Sequence, residues 1–314
     1  MYQQIARNKR LSVVYVVVFF VVWVGIGALV GWIWAALTPG SSAALTDSTH
    51  GVVTGAVVAS ALAAAGIAFS LVSGSRLVLR VSGARPADPG QYAQLHHLLE
   101  ALALGDGVPT PELYIIDDPS PNAFATGTSP THASVTVTTG LLQLMNREEL
   151  EGVLAHEISH IKNYDVRLLL IVSTLIGMAG LLASLAWRSA FLTRSRGRKG
   201  SQPMLVVLAA GALLGLVAVL LGPLVRLALS RRRESLADVS SVELTRNPIG
   251  LIHALQKLQG NDQPFARFNH ATAAMCIDDP LQHHPSRLHR LYDTHPTLSV
   301  RIATLQHLAP AAPA

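Results

Sequence analysis

Residues 146–167 read NREELEGVLAHEISHIKNYDVR. Asn146 is a favourable helix N-cap residue, and Glu149 three positions later can complete a capping box. The residues after the cap form one apolar stripe at helical intervals: Leu150, Val153, Leu154, Ile158 and Ile161. We therefore predict an amphipathic helix that packs one face against a core.

Two histidines and a glutamate on this helix form a candidate metal site. His156 and His160 lie four residues apart, just over one helical turn, so both imidazoles can reach one tetrahedral ion from the same face. Glu157 lies a third of a turn away, where it can contact a water bound to that ion. The pattern indicates a zinc hydrolase. The alternative, a polar face exposed beside a membrane, gives these three side chains no specific purpose.

Composition places much of the chain in a membrane. Half of the 314 residues are hydrophobic and 14% are charged, against roughly 25% in an average soluble protein. Four runs lack Asp, Glu, Lys and Arg, and each is close to the ~20 apolar residues that cross a bilayer. We expect four transmembrane helices, at about 11–37, 51–72, 168–192 and 203–225, where the third charge-free run itself covers 168–186.

The distribution of basic residues predicts the orientation. Arg7, Lys9 and Arg10 precede the first run, whereas the loop 38–50 contains no Lys or Arg, so we expect a cytoplasmic N-terminus. The polar segment that follows the second run is then cytoplasmic as well. The basic loop 188–199 disagrees with this count, and a shallow or re-entrant hairpin in place of the last two spans is the alternative.

Net charge and cysteine content exclude several other classes. The net charge of +5 does not indicate a nucleic-acid partner, because most basic residues flank apolar runs and are placed to contact the lipid bilayer. The single cysteine, Cys276, excludes an intramolecular disulfide and is expected to be a small buried hydrophobic residue. A transporter would need ionisable residues inside its spans, and the four runs contain no Asp, Glu, Lys or Arg.

Glycines in the first two runs indicate close helix packing. Gly27 and Gly31, and likewise Gly51 and Gly55, have the four-residue spacing that lets helix backbones approach each other. The contact is expected within one chain, with a dimer surface as the alternative.

The polar segments predict a domain divided by the third and fourth spans. We expect an N-terminal membrane region at 1–75, a first catalytic part at 76–167, a membrane hairpin at 168–225, a second part at 226–308 and a flexible tail at 309–314. Strands are predicted at Glu112–Ile116 and Ser134–Thr138. Besides the helix after Asn146, helices are predicted at Pro89–Leu104, Glu234–Thr245, Pro248–Gln259 and Pro296–Leu308.

A third metal ligand is expected after the hairpin. If the third and fourth runs return the chain to one membrane face, Glu234 emerges beside the two-histidine helix. Asp238, one turn further, can then accept the free ring N–H of a ligand histidine. The alternative is a solvated acidic face that answers the basic residues at 231–233.

Four ordered blocks resemble one known family, the HtpX-type membrane zinc endopeptidases, which are related to the CAAX prenyl endopeptidases. The blocks are HEISHIKNYDVR at 156–167, RRRESLADVSSVELT at 231–245, PNAFATG at 121–127 and THPTLSVRIATL at 294–305. The resemblance implies an α+β zincin fold of the gluzincin-like type, mostly helical with a small sheet, combined with about four transmembrane helices. This copy has Thr297, Ser299 and Val300 where the family commonly has proline and acidic residues.

The resemblance also implies roles for individual residues. Glu234 is expected as the third zinc ligand beside His156 and His160, with Asp238 as a supporting partner and Glu157 as the catalytic base. His295 is expected to stabilise the oxyanion, and Arg301 to order or assist the site; by themselves these two residues suggest a helix cap and a surface charge. An edge strand is expected to pair with an extended substrate through Asn122, Ala123, Phe124 and Ala125.

Together these inferences predict a membrane-bound endopeptidase with one Zn²⁺ per chain. Its expected substrates are proteins or peptides in or near the membrane, and the family resemblance implies a role in membrane protein quality control. We expect a multi-pass protein of a bacterial-type plasma (inner) membrane with its active site facing the cytoplasm. The alternative is a non-catalytic membrane scaffold with a structural zinc site, but such a site has no use for Glu157 as a base.

Overall fold

The computed structural model describes residues 2–37, 48–171, 231–261, 275–277 and 296–308, together with a few positions between 173 and 211. The chain forms two compact units. One contains Met1–Arg10, Ser73–Leu170 and Val225–Ala314, and the other contains Leu11–Val72 and Ile171–Leu224. Several predicted features lie mostly or entirely outside the described residues: the spans at 168–192 and 203–225, His295 and the tail 309–314.

Two long helices account for the predicted N-terminal membrane region. They are α1 (Tyr2–Leu37) and α2 (Ser48–Val81). Among the described residues, these two helices are long and apolar enough to cross a membrane, over Ile5–Ala35 and Thr49–Val81. Helix α1 begins before the charge-free run, and α2 continues past its own. Long basic side chains near a helix end can extend towards the interface.

The two helices approach each other through their glycines. A Cβ added at Gly27 would collide with the carbonyl oxygen of Gly55, and one added at Gly31 would collide with that of Gly51. The predicted close packing is therefore confirmed for these pairs, and it occurs within one chain.

A four-stranded sheet lies in the unit that contains residues 73–170. Its order is β1-β2-β4-β3, with β2 and β4 parallel and the other two pairings antiparallel. The strands are β1 (Arg85–Pro86), β2 (Glu112–Ile116), β3 (Ala123–Ser129) and β4 (His132–Thr138). Strand β2 has the predicted bounds, and β4 contains the second predicted strand. Strand β3 lies at an edge of the sheet.

Helix α5 (Arg147–Lys162) begins as its sequence predicts. The side-chain oxygen of Asn146 accepts a hydrogen bond from the backbone N–H of Glu149 at 3.0 Å, and the Glu149 carboxylate accepts one from the N–H of Asn146 at 2.8 Å. Four of the five residues of the predicted stripe are fully buried: Val153, Leu154, Ile158 and Ile161. The capping box and the buried face fix both the start and the rotation of the helix that carries the two histidines.

The remaining described helices surround α5 and the sheet. They are α3 (Ala93–Asp106), α4 (Thr139–Leu144), α6 (Arg231–Thr245), α7 (Pro248–Gln259) and α8 (Leu298–Gln306). Helix α7 has the predicted bounds, and α3 ends before Gly107, whose φ of 69° suits glycine. The described unit is therefore mostly helical with a small sheet, as expected.

Helices α5 and α7 are in unusually close contact because both have a glycine at the crossing. A Cβ at Gly152 would lie 2.8 Å from the backbone nitrogen of Leu251, and one at Gly250 would lie 2.6 Å from the carbonyl oxygen of Glu148. Helix α6 packs against α5 as well. This arrangement brings the acidic residues of α6 to the histidines of α5.

Candidate metal centre

His156 and His160 face each other on successive turns of α5. Their Nε2 atoms lie 3.1 Å apart, and the two rings are nearly perpendicular, at 88°. Both side chains are buried, with 1% of His156 and 8% of His160 exposed. The helix therefore presents two imidazole nitrogens to one point, as the four-residue spacing predicts.

Glu234 on α6 reaches the same point from the other side. Its Oε2 lies 3.6 Å from Nε2 of His156, and its Oε1 lies 3.5 Å from Nε2 of His160. One ligand atom from each of the three residues lies within 4.8 Å of the others. The structure thus brings together the three predicted ligands, although Glu234 is far from the histidines in sequence.

The chemistry and spacing of these donors fit a tetrahedral metal ion. Bonds of about 2.0–2.1 Å from zinc to nitrogen or oxygen imply roughly 3.3 Å between two donor atoms of a tetrahedron. The two Nε2 atoms lie 3.1 Å apart, and each has one oxygen of the Glu234 carboxylate at a similar distance, Oε2 at 3.6 Å from His156 and Oε1 at 3.5 Å from His160. Two neutral imidazoles and one carboxylate are also a ligand set that zinc accepts while leaving one position open.

Asp238 and Arg301 support His156 from behind. The Oδ1 of Asp238 lies 3.0 Å from Nδ1 of His156. Arg301 donates to both carboxylate oxygens of Asp238, from Nε to Oδ2 at 3.0 Å and from Nη2 to Oδ1 at 2.6 Å. All of these side chains are at least 98% buried. Burial contradicts the two surface alternatives, a solvated acidic face for Glu234 and Asp238 and a surface charge for Arg301.

Asp165 supports His160 in the same manner, and sequence reasoning missed it. Its Oδ2 lies 3.1 Å from Nδ1 of His160, and its Oδ1 accepts a hydrogen bond from Nδ2 of Asn8 at 2.7 Å. An acidic residue five positions after a candidate ligand, just beyond the predicted helix, was the available signal. Each histidine therefore has a carboxylate at Nδ1, which leaves Nε2 to face the centre.

Charges around the site oppose the effect of burial on the histidines. Burial and the Arg301 cation lower the pKa of His156, but the carboxylates of Asp238 and Glu234 outweigh them and raise it to about 9. Burial also lowers the pKa of His160, and the charge of Glu234 with the hydrogen bond to Asp165 raises it above its ordinary value. Burial would raise the pKa of Asp238, but Arg301 and His156 hold it at about 2.

Glu157 lines a small cavity next to the three donors. It is 2% exposed, and burial raises its pKa although His156 and His160 oppose the shift. The cavity has a volume of about 10 Å³, close to the roughly 10–15 Å³ that one water requires. Its other walls include Val166, Leu169 and the segment 275–277. A carboxyl group with a raised pKa therefore lies beside the point where the donors meet.

The predicted substrate-binding strand is observed, but part of its free edge is already paired. Strand β3 contains Ala123, Phe124 and Ala125, and Asn122 directly precedes it. Phe124 forms an antiparallel bridge with Cys276, and the backbone N–H of Ile277 donates to the carbonyl oxygen of Ala123 at 2.9 Å. The segment 275–277, for which sequence reasoning predicted no strand, covers this edge. Cys276 is fully buried, as expected.

The remaining predicted site residue, His295, lies outside the described residues. Arg301, which the resemblance places beside it, is in α8 and also donates from Nη1 to the carbonyl oxygen of Ile277 at 3.1 Å. Its Nη2 lies 3.4 Å from both ring nitrogens of His156. Arg301 therefore connects α8, the segment 275–277 and the candidate metal centre.

Comparison with known proteins finds similar chains along the full length of this one. Each of three relatives carries the name Protease HtpX homolog. The relative from Streptococcus uberis is 40% identical over 314 residues, the one from Levilactobacillus brevis 40% over 313, and the one from Streptococcus mutans 40% over 316. In each case the alignment covers 98% of this chain and 100% of the relative.

One solved structure, the crystal structure of S. mikatae Ste24p, is also similar, with a TM-score of 0.46 and 21% sequence identity. That similarity covers 78% of this chain and 56% of the Ste24p chain, so this chain spans just over half of its length.

Residues 89–309 match the family described as Peptidase family M48. This region contains the two-histidine helix, the sheet strands β2 to β4, and helices α6 to α8. On the strength of this match and of the full-length relatives, the chain belongs to peptidase family M48 and is a membrane-bound metalloprotease of the HtpX type.

Proposed function

We propose that this metalloprotease hydrolyses peptide bonds of membrane or membrane-proximal proteins with one zinc ion held by His156, His160 and Glu234. The observation that carries the proposal is the convergence of these three donors beside the buried carboxylate of Glu157. When bound, zinc polarises the scissile carbonyl and lowers the pKa of water so that water can attack near neutral pH.

Glu157 is the proposed general base. Its side chain borders the cavity between the donors, and burial raises its pKa. A base of this kind can take a proton from the attacking water and then deliver that proton to the nitrogen of the leaving amine. The two transfers return Glu157 to its starting state.

Asp238 and Arg301 are proposed to position His156. Asp238 accepts from the Nδ1 side of the ring and so keeps Nε2 available for the metal. Arg301 acts on Asp238 through two hydrogen bonds, so its proposed role is positioning and not contact with the substrate. His295 is proposed to stabilise the oxyanion that develops on the scissile carbonyl, as the family resemblance implies.

The proposed substrate site is the edge of β3 at Asn122–Ala125. An extended peptide can add to a sheet edge through backbone hydrogen bonds, with little preference for side chains. Because the segment 275–277 already pairs with Ala123 and Phe124, an incoming strand must replace this segment or continue the pairing further along β3. This proposal favours substrates that are already unfolded.

The proposed location is a bacterial-type plasma membrane, with four spans and a cytoplasmic active site. Two apolar helices, over Ile5–Ala35 and Thr49–Val81, support the first two spans. The basic residues that precede the first run, together with Arg76 and Arg80 at the end of α2, support the orientation. Substrates that reach such a site are membrane proteins or their cytoplasmic loops, which is consistent with a role in membrane protein quality control.

The alternative of a non-catalytic scaffold with a structural zinc is not favoured. A structural site needs no general base, yet Glu157 is buried at the cavity beside the donors. Membership of a peptidase family argues in the same direction.

Glu157→Gln tests the proposal directly. The amide keeps the shape of the side chain but accepts no proton, so we expect kcat on casein in detergent to fall by about 10²- to 10⁴-fold. Zinc content should stay at one ion per chain. Glu148→Gln, which changes an exposed glutamate of the same helix, is the matched control and should behave as the wild type. Zinc-loaded Glu157→Gln protein with wild-type turnover would contradict the proposal.

A further inference from the structure

Asn8 is a buried polar residue near the start of α1. Only 1% of its surface is exposed, whereas its neighbours Arg7 and Lys9 are exposed. Its Nδ2 donates to the carbonyl oxygen of Asn163 at 2.8 Å and to Oδ1 of Asp165 at 2.7 Å. A side-chain amide has two N–H donors, so both are used. One side chain of the N-terminal helix therefore holds two groups directly after the metal-site helix.

The part of the chain that Asn8 holds is a sharp break after α5. Asn163 is the C-cap of that helix, and Tyr164 has a φ of 60°, a left-handed conformation that is uncommon for a bulky residue. Helical backbone resumes at residue 165. Lys9 makes a second contact with the break, since its Nζ lies 4.3 Å from the centre of the Tyr164 ring. The break directs Asp165 back towards His160.

The carboxylate of Asp165 divides its oxygens between two partners. Oδ2 faces Nδ1 of His160 at 3.1 Å, and Oδ1 accepts the hydrogen bond from Asn8. Arg233 adds a positive charge, with Nη1 at 3.6 Å from Oδ1. Asp165 is only 2% exposed, so water cannot easily replace a lost donor. Loss of the Asn8 amide would leave this carboxylate less firmly oriented towards His160.

We infer that Asn8 is a positioning residue of the metal centre, which acts through Asp165 on His160. This inference rests on the proposed function, because it takes His160 as a zinc ligand. It assigns a part of the metal centre to the first ten residues of the chain, on the same helix that contains the first candidate span. The N-terminal segment is thus more than a membrane anchor, since Asn8 acts on the metal centre through Asp165 and His160.

Asn8→Asp in the full-length protein tests this inference. The change keeps the size of the side chain but removes both donors and places a carboxylate against that of Asp165. Loss of a direct partner of a metal ligand typically weakens metal binding by about 10- to 100-fold, and we expect about 3- to 10-fold for Asn8, one step further away. The readout is the zinc dissociation constant in competition with a chromogenic chelator. Gln3→Ala, at an exposed position of the same helix, should leave it unchanged.

A double-mutant cycle separates positioning from general stability. If Asn8 acts through Asp165, then Asn8→Asp should weaken zinc binding further by less than about twofold in an Asp165→Asn background. Asn8→Ser, which keeps one donor, should lie between Asn8→Asp and the wild type and serves if Asn8→Asp does not fold. If folded Asn8→Asp or Asn8→Ser protein binds zinc as tightly as the wild type, the inference is overturned. A lower Tm with unchanged zinc affinity would show that Asn8 has only a structural role. A wild-type protein that binds no zinc overturns the proposed function as well.

Discussion

His156 and His160 occupy successive turns of one helix, yet their supports differ in chemistry and in origin. Behind His156, Asp238 is held by the charged guanidinium of Arg301 through two hydrogen bonds of 3.0 and 2.6 Å. Behind His160, Asp165 accepts one bond of 2.7 Å from the neutral amide of Asn8, and the Arg233 guanidinium lies further away, at 3.6 Å from the same oxygen. One support comes from α8 near the C-terminal end and the other from the start of α1.

The difference predicts an unequal sensitivity to mutation. Bidentate pairs of arginine and carboxylate are stronger and more directional than hydrogen bonds between neutral groups and a carboxylate. The Arg301 cation also contributes to holding the pKa of Asp238 at about 2, well below its ordinary value. The support behind His156 should therefore be the more rigid of the two, and the one behind His160 the more easily altered.

The largest effect on zinc binding is expected when the third proposed ligand, Glu234, is removed from beside both histidines. Glu234 lies 3.6 Å from His156 and 3.5 Å from His160, and Glu234→Ala should abolish stoichiometric zinc binding together with casein cleavage. Metal analysis of the purified protein and a cleavage assay measure the two outcomes. Glu243→Ala, at an exposed position of the same helix, is the control. Retention of one zinc ion per chain in Glu234→Ala would rule out Glu234 as a ligand.

An intermediate loss of zinc affinity is expected when either supporting carboxylate is removed, and its size should show which support matters more. Asp238→Asn and Asp165→Asn each remove the negative charge next to Nδ1 of one histidine. We expect each change to lower the zinc affinity by about 10- to 100-fold. Asp238→Asn should lie at the upper end, because it also leaves the buried Arg301 cation without its carboxylate. Chelator competition gives the two affinities, and thermal melts should show the larger destabilisation for Asp238→Asn. An equal or reversed ranking would contradict the comparison.

The most gradual effect, and the smallest for each step in the conditions, should be a dependence of zinc affinity on pH. His156 has a pKa of about 9 in the metal-free fold, against about 6.5 in an unfolded chain. In the metal-free protein, the proton on His156 therefore stabilises the folded state fully below pH 6.5, and this stabilisation is lost as the pH rises through 9. Zinc must displace the proton, so its affinity should fall about tenfold per pH unit from 9 down to 6.5.

Zinc titrations across this pH range measure that slope. In Asp238→Asn, the carboxylate that raises the pKa of His156 is absent, so the decline should begin at a lower pH than in the wild type. A zinc affinity that does not change between pH 9 and 6.5 would show that His156 does not carry a proton there.

Local signals explain which parts of the fold could be predicted from the sequence. The capping box at Asn146 and the proline that begins α7 specify helix starts through neighbouring residues alone, and the alternation in Ser134–Thr138 specifies a strand in the same way. Helix α2 was underestimated because the run without charges ends before the helix does, at Val81. The pairing of β3 with 275–277 had no local signal, since Ala-Met-Cys-Ile shows neither alternation nor turn residues.

In the candidate site, too, the residues placed by local sequence could be predicted and some of those placed by tertiary structure could not. His156, Glu157 and His160 were predictable because the period of one helix places them, and Glu234 and Asp238 followed from the expected return of the chain to one membrane face. Asp165 and Asn8 were missed because their roles depend on a break at Tyr164 and on a contact across more than 150 residues. Tertiary structure alone brings these groups together.

The chain order of Asn8 and Arg301 has a consequence for biosynthesis. A ribosome makes Asn8 before the histidine motif at 156–160, but it makes Arg301 long after that motif. A nascent or prematurely terminated polypeptide therefore contains the histidine motif without the arginine that secures it. We therefore expect a nascent chain to gain full proteolytic competence only after Arg301 has been made.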